Sequence, residues 1–362
     1  EKVKRLTAQA VSDEEKIRAI YNFCAKEIRY VAVEYGQAGY EPHQAADIFK
    51  NKYGDCKDQA VLLVTMLKEE GFLAWPVLIS TRDYYNLSAD FPSMLFNHCI
   101  AAVSLNGKTV FLDPTAETCS FADLPGGDQK RKVLIFKEGQ YVIADTPLYP
   151  AAHNLLTQAL RIKINPDESI DADRDLFTHG AYDQAQRYWL LYTPPQLIEE
   201  RLKERIQEIS IGAKLKSYKI ENLDNLNKEI VLKYWFWGPE YLIPAGKLMI
   251  IPQLASLDVA LVAKDSRRYA LDFGLLDTRE TAVEFEVPST FTVKYIPQSL
   301  DEDTPWLRLK AAYAQKGRII NFRQKIEFKT ETITQEDYPA FKKAFTDLAK
   351  KIKQSIVLER TR

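Results

Sequence analysis

The sequence predicts an α+β chain in which helices pack on an antiparallel sheet and two further β-rich units follow. Three observations predict it. A capped amphipathic helix and a second helix, apolar on nearly every side, fall before residue 71. An Asn-Gly dipeptide then joins two apolar strand patterns. Beyond residue 150 strand patterns dominate, with one helix in each later unit.

The 362 residues exceed one ordinary core, and typical domain sizes give roughly two to three domains. The patterns divide the chain into 1–150, 151–260 and 261–362. Apolar residues at 46% and charged residues at 27% are the balance of a chain that buries cores, which excludes a disordered tether. Lys and Arg number 49 against 50 Asp and Glu, a net charge of -1, so there is no basic footprint and no nucleic-acid partner is expected. No apolar run reaches bilayer length. The opening EKVKRLTAQAVSDEEK has neither a signal-peptide apolar region nor an initiator Met, so a fragment of a longer protein is expected. The four cysteines include no C-x-x-C pair, and no acidic calcium-ligand loop is read; no metal and no cofactor are expected.

Ser12 and Glu15 form a capping-box pattern, and Ile17, Ile20, Tyr21, Cys24 and Ile28 behind it recur at helical spacing. After the turn-rich GQAGYEP, a helix enters at Asp55, runs through CKDQAVLLVTMLKEE and stops at Gly71. Strands are expected in AWPVLIST, MLFNHCIAAVSL and KTVFLDPT, the last two joined at Asn106-Gly107. The stretch TPLYPAAHN closes this unit. The second unit reads as a strand pair turning at Asn165-Pro166-Asp167, a helix PPQLIEERLKERIQEI and a strand KEIVLKYWFW. The third alternates strands AVEFEVP, FTVKYIP and RIINFRQKIEFKTE. It ends in a helix opened by Thr334 and Asp337, striped by Tyr338, Phe341, Phe345, Leu348 and Ile352.

Chemistry points to YGDCKDQA. Gly54 permits a tight turn, Asp55 is a good N-cap, and Cys56 falls at the first helical position, where free N–H groups and the helix dipole favour a thiolate. A lone cysteine at a helix end is more often a packing residue, so its partners decide the matter. A two-residue Asn106-Gly107 loop pairs Leu105 with Lys108, which sets Ile100 opposite Asp113 and His98 opposite Thr115. His98 and Asp113 then share one face as diagonal neighbours, roughly 7–8 Å apart along the backbone, within side-chain reach. A carboxylate that orients a histidine, whose other nitrogen is left for a thiol, is the base half of a nucleophilic site.

With nucleophile, base and orienter in one unit, YGDCKDQAVLLVTMLKEEGFLAWPVLI, FNHCIAAV and VFLDPT resemble the cysteine, histidine and aspartate segments of the transglutaminase-like superfamily, a papain-like cysteine core. The resemblance covers residues 10 to 125. Less specifically, the later units resemble the accessory β-rich domains of large exported bacterial proteins, which implies a periplasmic or cell-surface location. It implies cysteine acyl transfer or hydrolysis on protein or peptide amides through a thioester, with Cys56 attacking, His98 moving the proton and Asp113 holding His98. One oxyanion donor would be the Cys56 N–H and the other a side chain upstream, with Tyr30, Tyr35 and Tyr53 as candidates.

A fold can outlive its chemistry, so the alternative is a catalytically silent binding or assembly module. Cys99 points away from the His98 face and reads as core; Cys119, in the loop beyond, reads as a packing or neutral residue, with a second thiol near the site as the alternative; His43, His153 and His179 show no partner pattern. Tyr234, Trp235, Phe236 and Trp237 alternate at strand spacing and read as a sheet core rather than a ligand platform.

Overall fold

A computed structural model describes residues 1–32, 35–87, 95–121 and 123–361. The chain forms two compact units: Glu1–Tyr149 with Asn225–Lys228, and Pro150–Asp224 with the residues from Glu229 onward. Among the described residues no helix is long and apolar enough to cross a membrane.

The first unit carries helices α1 (Lys2–Thr7), α2 (Asp13–Glu27), α3 (Ala45–Asn51) and α4 (Cys56–Glu69). Ser12 Oγ accepts the Glu15 N–H at 3.2 Å, as the capping pattern predicts, but the Glu15 carboxylate reaches one residue further back, to the Val11 N–H at 2.8 Å. Ile17, Ile20, Tyr21, Cys24 and Ile28 are all buried, so the predicted stripe is the packing face. It meets Leu62, Leu63, Met66 and Leu67 of α4, and both helices cover Ala74, Ala101, Val103 and Leu112. Helix α3 is too short for periodicity to reveal: it has seven residues, Ile48 alone is fully buried, and left-handed Lys52 (φ 60°) ends it.

A two-residue parallel bridge joins β1 (Arg29–Tyr30) to β2 (Tyr53–Gly54). The main sheet has five antiparallel strands, β3 (Ala74–Ile79), β4 (His98–Leu105), β5 (Lys108–Leu112), β6 (Lys132–Lys137) and β7 (Gln140–Asp145), in the order β5-β4-β3-β6-β7. Met94, where the fourth strand was expected to begin, lies outside the described residues. Asn106 (φ 52°) and Gly107 (φ 75°) are both left-handed, as a type I′ turn requires, and the ladder pairs Leu105 with Lys108 through Ala101 with Leu112. Pairing stops there: Pro114 has no N–H to donate, and the Thr115 N–H bonds the Asp113 carboxylate instead of β4. The sheet face opposite the helices, with Val77, Ile79, Ile100, Ala102 and Phe111, closes over Trp75 and Leu124.

The second unit is built on an eight-stranded sheet. Its strands are β8 (Leu155–Ile164), β9 (Ile170–Thr178), β10 (Lys214–Glu221), β11 (Val231–Gly238), β15 (Thr278–Glu286), β17 (Leu300–Asp303), β18 (Leu307–Lys316) and β19 (Ile319–Phe328), in the order β10-β11-β9-β8-β15-β19-β18-β17. A smaller sheet orders β12 (Ile243–Ala245), β13 (Leu248–Ile250), β21 (Val357–Arg360) and β16 (Phe291–Tyr295), and β14 (Leu271–Asp272) pairs with β20 (Thr332–Ile333). Strands β8 and β15 run parallel, Leu155 opposite Thr278 through Lys163 opposite Glu286. The expected boundary near residue 260 would therefore cut one sheet, and residues 151–260 and 261–362 are not separate domains. Alternation shows which face a strand buries but not which strand it pairs with, so the parallel partner more than a hundred residues away left no local mark.

Helices α5 (Ala181–Tyr192), α6 (Pro195–Gln207) and α7 (Tyr338–Lys351) complete the unit. Helix α7 starts at Tyr338, one turn after the predicted opening; Thr334 and Asp337 hydrogen-bond each other just before it. Its stripe of Tyr338, Phe341, Phe345, Leu348 and Ile352 is buried as predicted. In β11, Tyr234 and Phe236 are fully buried while Trp235 is 37% exposed, the alternation of a half-buried strand rather than an aromatic platform.

Candidate active site

Cys56 is the first residue of α4, and a reciprocal capping box holds it there. Asp55 Oδ1 accepts the Asp58 N–H and Asp58 Oδ2 accepts the Asp55 N–H, each at 3.2 Å. His43 braces the same carboxylate with its backbone N–H at 2.8 Å and its Nδ1 at 3.1 Å. Gln59 Nε2 donates to the Gly54 carbonyl at 3.3 Å, which fixes the turn ahead of the cysteine. Cys56 itself is half-buried with a free thiol, whereas Cys24, Cys99 and Cys119 are buried. Burial pushes all three of those thiols upward, Cys99 to about 12.

His98 opens β4 on the face shared with Ile100, opposite the face that α4 covers. Since the strand begins at His98, the sheet no longer separates the two faces there, and Cys56 is among the neighbours that raise the imidazole's proton affinity. On its other side His98 Nε2 lies 3.0 Å from Asp113 Oδ2. Burial alone would lower the imidazole's proton affinity, but the Asp113 charge and the hydrogen bonds to Asp113 and Cys56 outweigh it and hold His98 well above the ordinary histidine value. Asp113 shows the converse: burial would raise it, and the charge and hydrogen bond of His98, with those of Thr115, lower it.

Asp113 is set from three directions. Thr115 gives Asp113 Oδ1 its backbone N–H at 2.9 Å and its hydroxyl at 2.8 Å. Tyr21, from the stripe of α2, donates to the Cys119 carbonyl at 3.1 Å and lies 3.4 Å from the Asp113 carbonyl, so the helix packing also holds the turn that carries the carboxylate. Asp128, the last residue of the 3₁₀ turn Gly126–Asp128, is 2% exposed, and its carboxyl comes within 4.8 Å of that of Asp113. Burial, then the Asp113 charge, push the Asp128 carboxyl up to about 8. One ring nitrogen or carboxylate oxygen from each of His98, Asp113 and Asp128 lies within 4.8 Å of the others.

Thus Cys56, His98 and Asp113, which the sequence singles out, lie together. Of the tyrosines suggested for the oxyanion, Tyr30 is paired with Gly54, two residues before Cys56, and is 48% exposed. Tyr53 sits on the partnering strand and is 44% exposed, while Tyr35 is 89% exposed outside any strand. Thr115, His43 and Asp128 are not read as site residues from sequence. An Asp-Pro-Thr run ending a strand is a detectable side-chain-to-backbone turn pattern, and Asp58 at the third helical position signals the box that His43 joins. Asp128 carries no such signal.

Residues 1–114 match the family model of the transglutaminase-like superfamily, a match that includes Cys56, His98 and Asp113. Residues 247–358 match a domain of unknown function with a solved structure, DUF3858. No curated protein matches the chain. The fold is similar to the crystal structure of a proposed protease from Parabacteroides distasonis ATCC 8503, with a TM-score of 0.58 at 12% identity. The alignment covers 99% of this chain and 54% of that one, so the chain spans about half the length of that protein.

Proposed function

From the transglutaminase-like core of residues 1–114, we propose that this chain carries out cysteine-nucleophile acyl transfer or hydrolysis on protein or peptide amides. The observation that supports this reading is Cys56 at the N-terminus of α4 with His98 as its neighbour, and His98 Nε2 3.0 Å from Asp113 Oδ2. In this reading the Cys56 sulfur, its proton passed to His98, attacks the amide carbon and forms a C–S bond. The carbonyl oxygen gathers charge toward the Cys56 N–H, in the first turn of α4 where intrahelical partners end, with Tyr30 as the second candidate donor. The imidazolium then protonates the leaving amine as the C–N bond breaks, leaving a thioester. Water or a second amine, deprotonated by His98, displaces the sulfur and restores the thiol. Asp113 keeps its charge throughout and supports the imidazolium.

The proposal also takes the chain as part of an exported protein, tested by locating the full-length protein after cell fractionation. The chemistry is tested by the rate at which iodoacetamide alkylates Cys56 at mildly acidic pH. Because the other thiols are buried, selectivity for Cys56 alone proves little; the discriminating variant is His98→Ala. A rate lower by about tenfold or more in that variant is expected. An unchanged rate would sink the nucleophile reading and leave a silent binding module.

A further inference from the structure

We propose that Asp128 is a positioning residue of the cysteine site, a neutral carboxyl whose proton is donated to Asp113 and whose ionisation tightens the hold of the site on the His98 proton. The inference rests on the reading of Cys56, His98 and Asp113 as a catalytic run.

Three features carry it. First, placement: the Asp128 carbonyl accepts the Thr146 hydroxyl at 2.5 Å, its N–H bonds the Pro125 carbonyl at 2.9 Å, and the next side chain, Gln129, donates to the Leu124 carbonyl at 3.0 Å. The turn is therefore pinned on both sides, and its carboxyl is presented to Asp113 rather than to solvent. Second, satisfaction: Asp128 Oδ2 is buried and accepts no hydrogen bond. A buried carboxylate oxygen left bare carries a large desolvation cost, whereas a neutral carboxyl donating to a charged neighbour does not. Third, like charges: two buried carboxyls within 4.8 Å of each other cannot both ionise cheaply, and His98 already stabilises the charge on Asp113, so the proton stays on Asp128.

Of the groups facing Asp128, His98 alone among those acting on it opposes the rest. Asp113 and Asp83 disfavour its ionisation, His98 favours it, and burial disfavours it most. Cys119, after the Asp113 turn, faces the same carboxyl, and its thiol is pushed up in part by it. On its own segment, the Arg131 guanidinium is turned away, to the carbonyls of Ser80 and Tyr85. Across the site, Arg82 reaches the Gln129 carbonyl at 3.4 Å.

Near neutral pH the site then holds one negative charge beside His98, and Asp128 adds a second as it ionises at about pH 8. That second charge strengthens the imidazolium's grip on the proton it must give to a leaving amine. Asp128→Asn keeps a hydrogen-bond donor toward Asp113 and can never supply the charge.

Infrared difference spectra between about pH 6 and about pH 10 test the protonation directly. A neutral-carboxyl C=O stretch is expected to vanish through about pH 8 and to be missing from Asp128→Asn. In parallel, ¹⁵N NMR of the His98 ring is expected to show a second step at that pH in the wild type. In Asp128→Asn the step is absent and His98 loses its proton about tenfold more readily. A band that persists in Asp128→Asn, or a His98 titration unchanged by it, overturns the proposal. Should Asp128→Asn fail to fold, the wild-type spectra decide: no band and no second step overturn it equally. The infrared measurement repeated in Cys56→Ala does not depend on activity, so alkylation insensitive to His98 alongside the expected band would refute the nucleophile reading while leaving the Asp113–Asp128 pair standing.

Discussion

Gly54 and Asp58 approach so closely that no methyl group fits between them: a Cβ on Gly54 would lie 2.6 Å from Asp58 Cβ and 3.0 Å from its Oδ2. The turn before the cysteine and the carboxylate that caps its helix are packed against each other. Gly54→Ala must therefore open the capping box or shift the turn. Thermal or urea unfolding is expected to show a loss of about 1–3 kcal/mol. The same variant should also slow Cys56 alkylation, since the N-terminus of α4 moves relative to His98. A variant as stable and as reactive as the wild type would mean that the box does not position the thiol.

Asp113→Asn keeps the shape of the orienting side chain and removes its charge. His98 is raised because burial, which lowers it, is outweighed first by that charge and then by hydrogen bonds. The variant should bring the His98 titration down, read by ring NMR, and reduce turnover of an amide substrate by roughly a hundredfold or more. Equal turnover would remove Asp113 from the mechanism.

Stability should fall with rising pH at His98 and Asp128 and with falling pH at Asp113. His98 is raised in the folded protein, so its contribution is full below the ordinary histidine value and is lost as pH climbs through the folded value. Asp113 is lowered, so its contribution is present above the ordinary carboxylate range and is lost as pH falls through the folded value. Asp128 is a raised acid: the folded form keeps a proton that the unfolded chain gives up, so stability declines from the ordinary carboxylate range up to about pH 8. Asp128→Asn should thus gain on the wild type as pH rises across that window, by on the order of a few kcal/mol, measured by denaturant titration at each pH. A difference independent of pH would contradict it.

In the second unit Arg187 is fully buried on α5. It pairs with Asp183 at 2.5 Å and donates to the carbonyls of Asn222 and Leu223 at 2.6 and 2.7 Å, while Asp183 accepts the Ile230 N–H at 2.8 Å. Arg187→Ala leaves a buried carboxylate and two carbonyls without their donor. A loss of about 3–5 kcal/mol is expected in chemical unfolding of this unit, with Cys56 alkylation serving as the control. A cost below about 1 kcal/mol would mean that water replaces the guanidinium.

Legibility in the sequence followed the range of the interactions. The stripe of α2, the entry of α4 and the register through Asn106-Gly107 are written in neighbours a few residues apart, and they bring Cys56, His98 and Asp113 into one unit. The hairpin of β6 and β7 turns at Glu138 and Gly139, both left-handed at φ 49° and 82°, a pair less diagnostic than Asn-Gly, and it went unread. Asp128 could not be read, because a buried acid is recognised only by what surrounds it. The parallel contact of β8 with β15 was hidden for the same reason.

That contact has a consequence for how the chain folds. While the chain is being made, β8 can pair with β9 at once, since only a short turn separates them, but its other edge stays bare until residues 278–286 have emerged. The sheet of the second unit is completed late and by a contact of long sequence separation, a topology that slows folding. Until then β8 offers an open row of N–H and C=O groups, a place where the growing chain is exposed to mispairing with another copy.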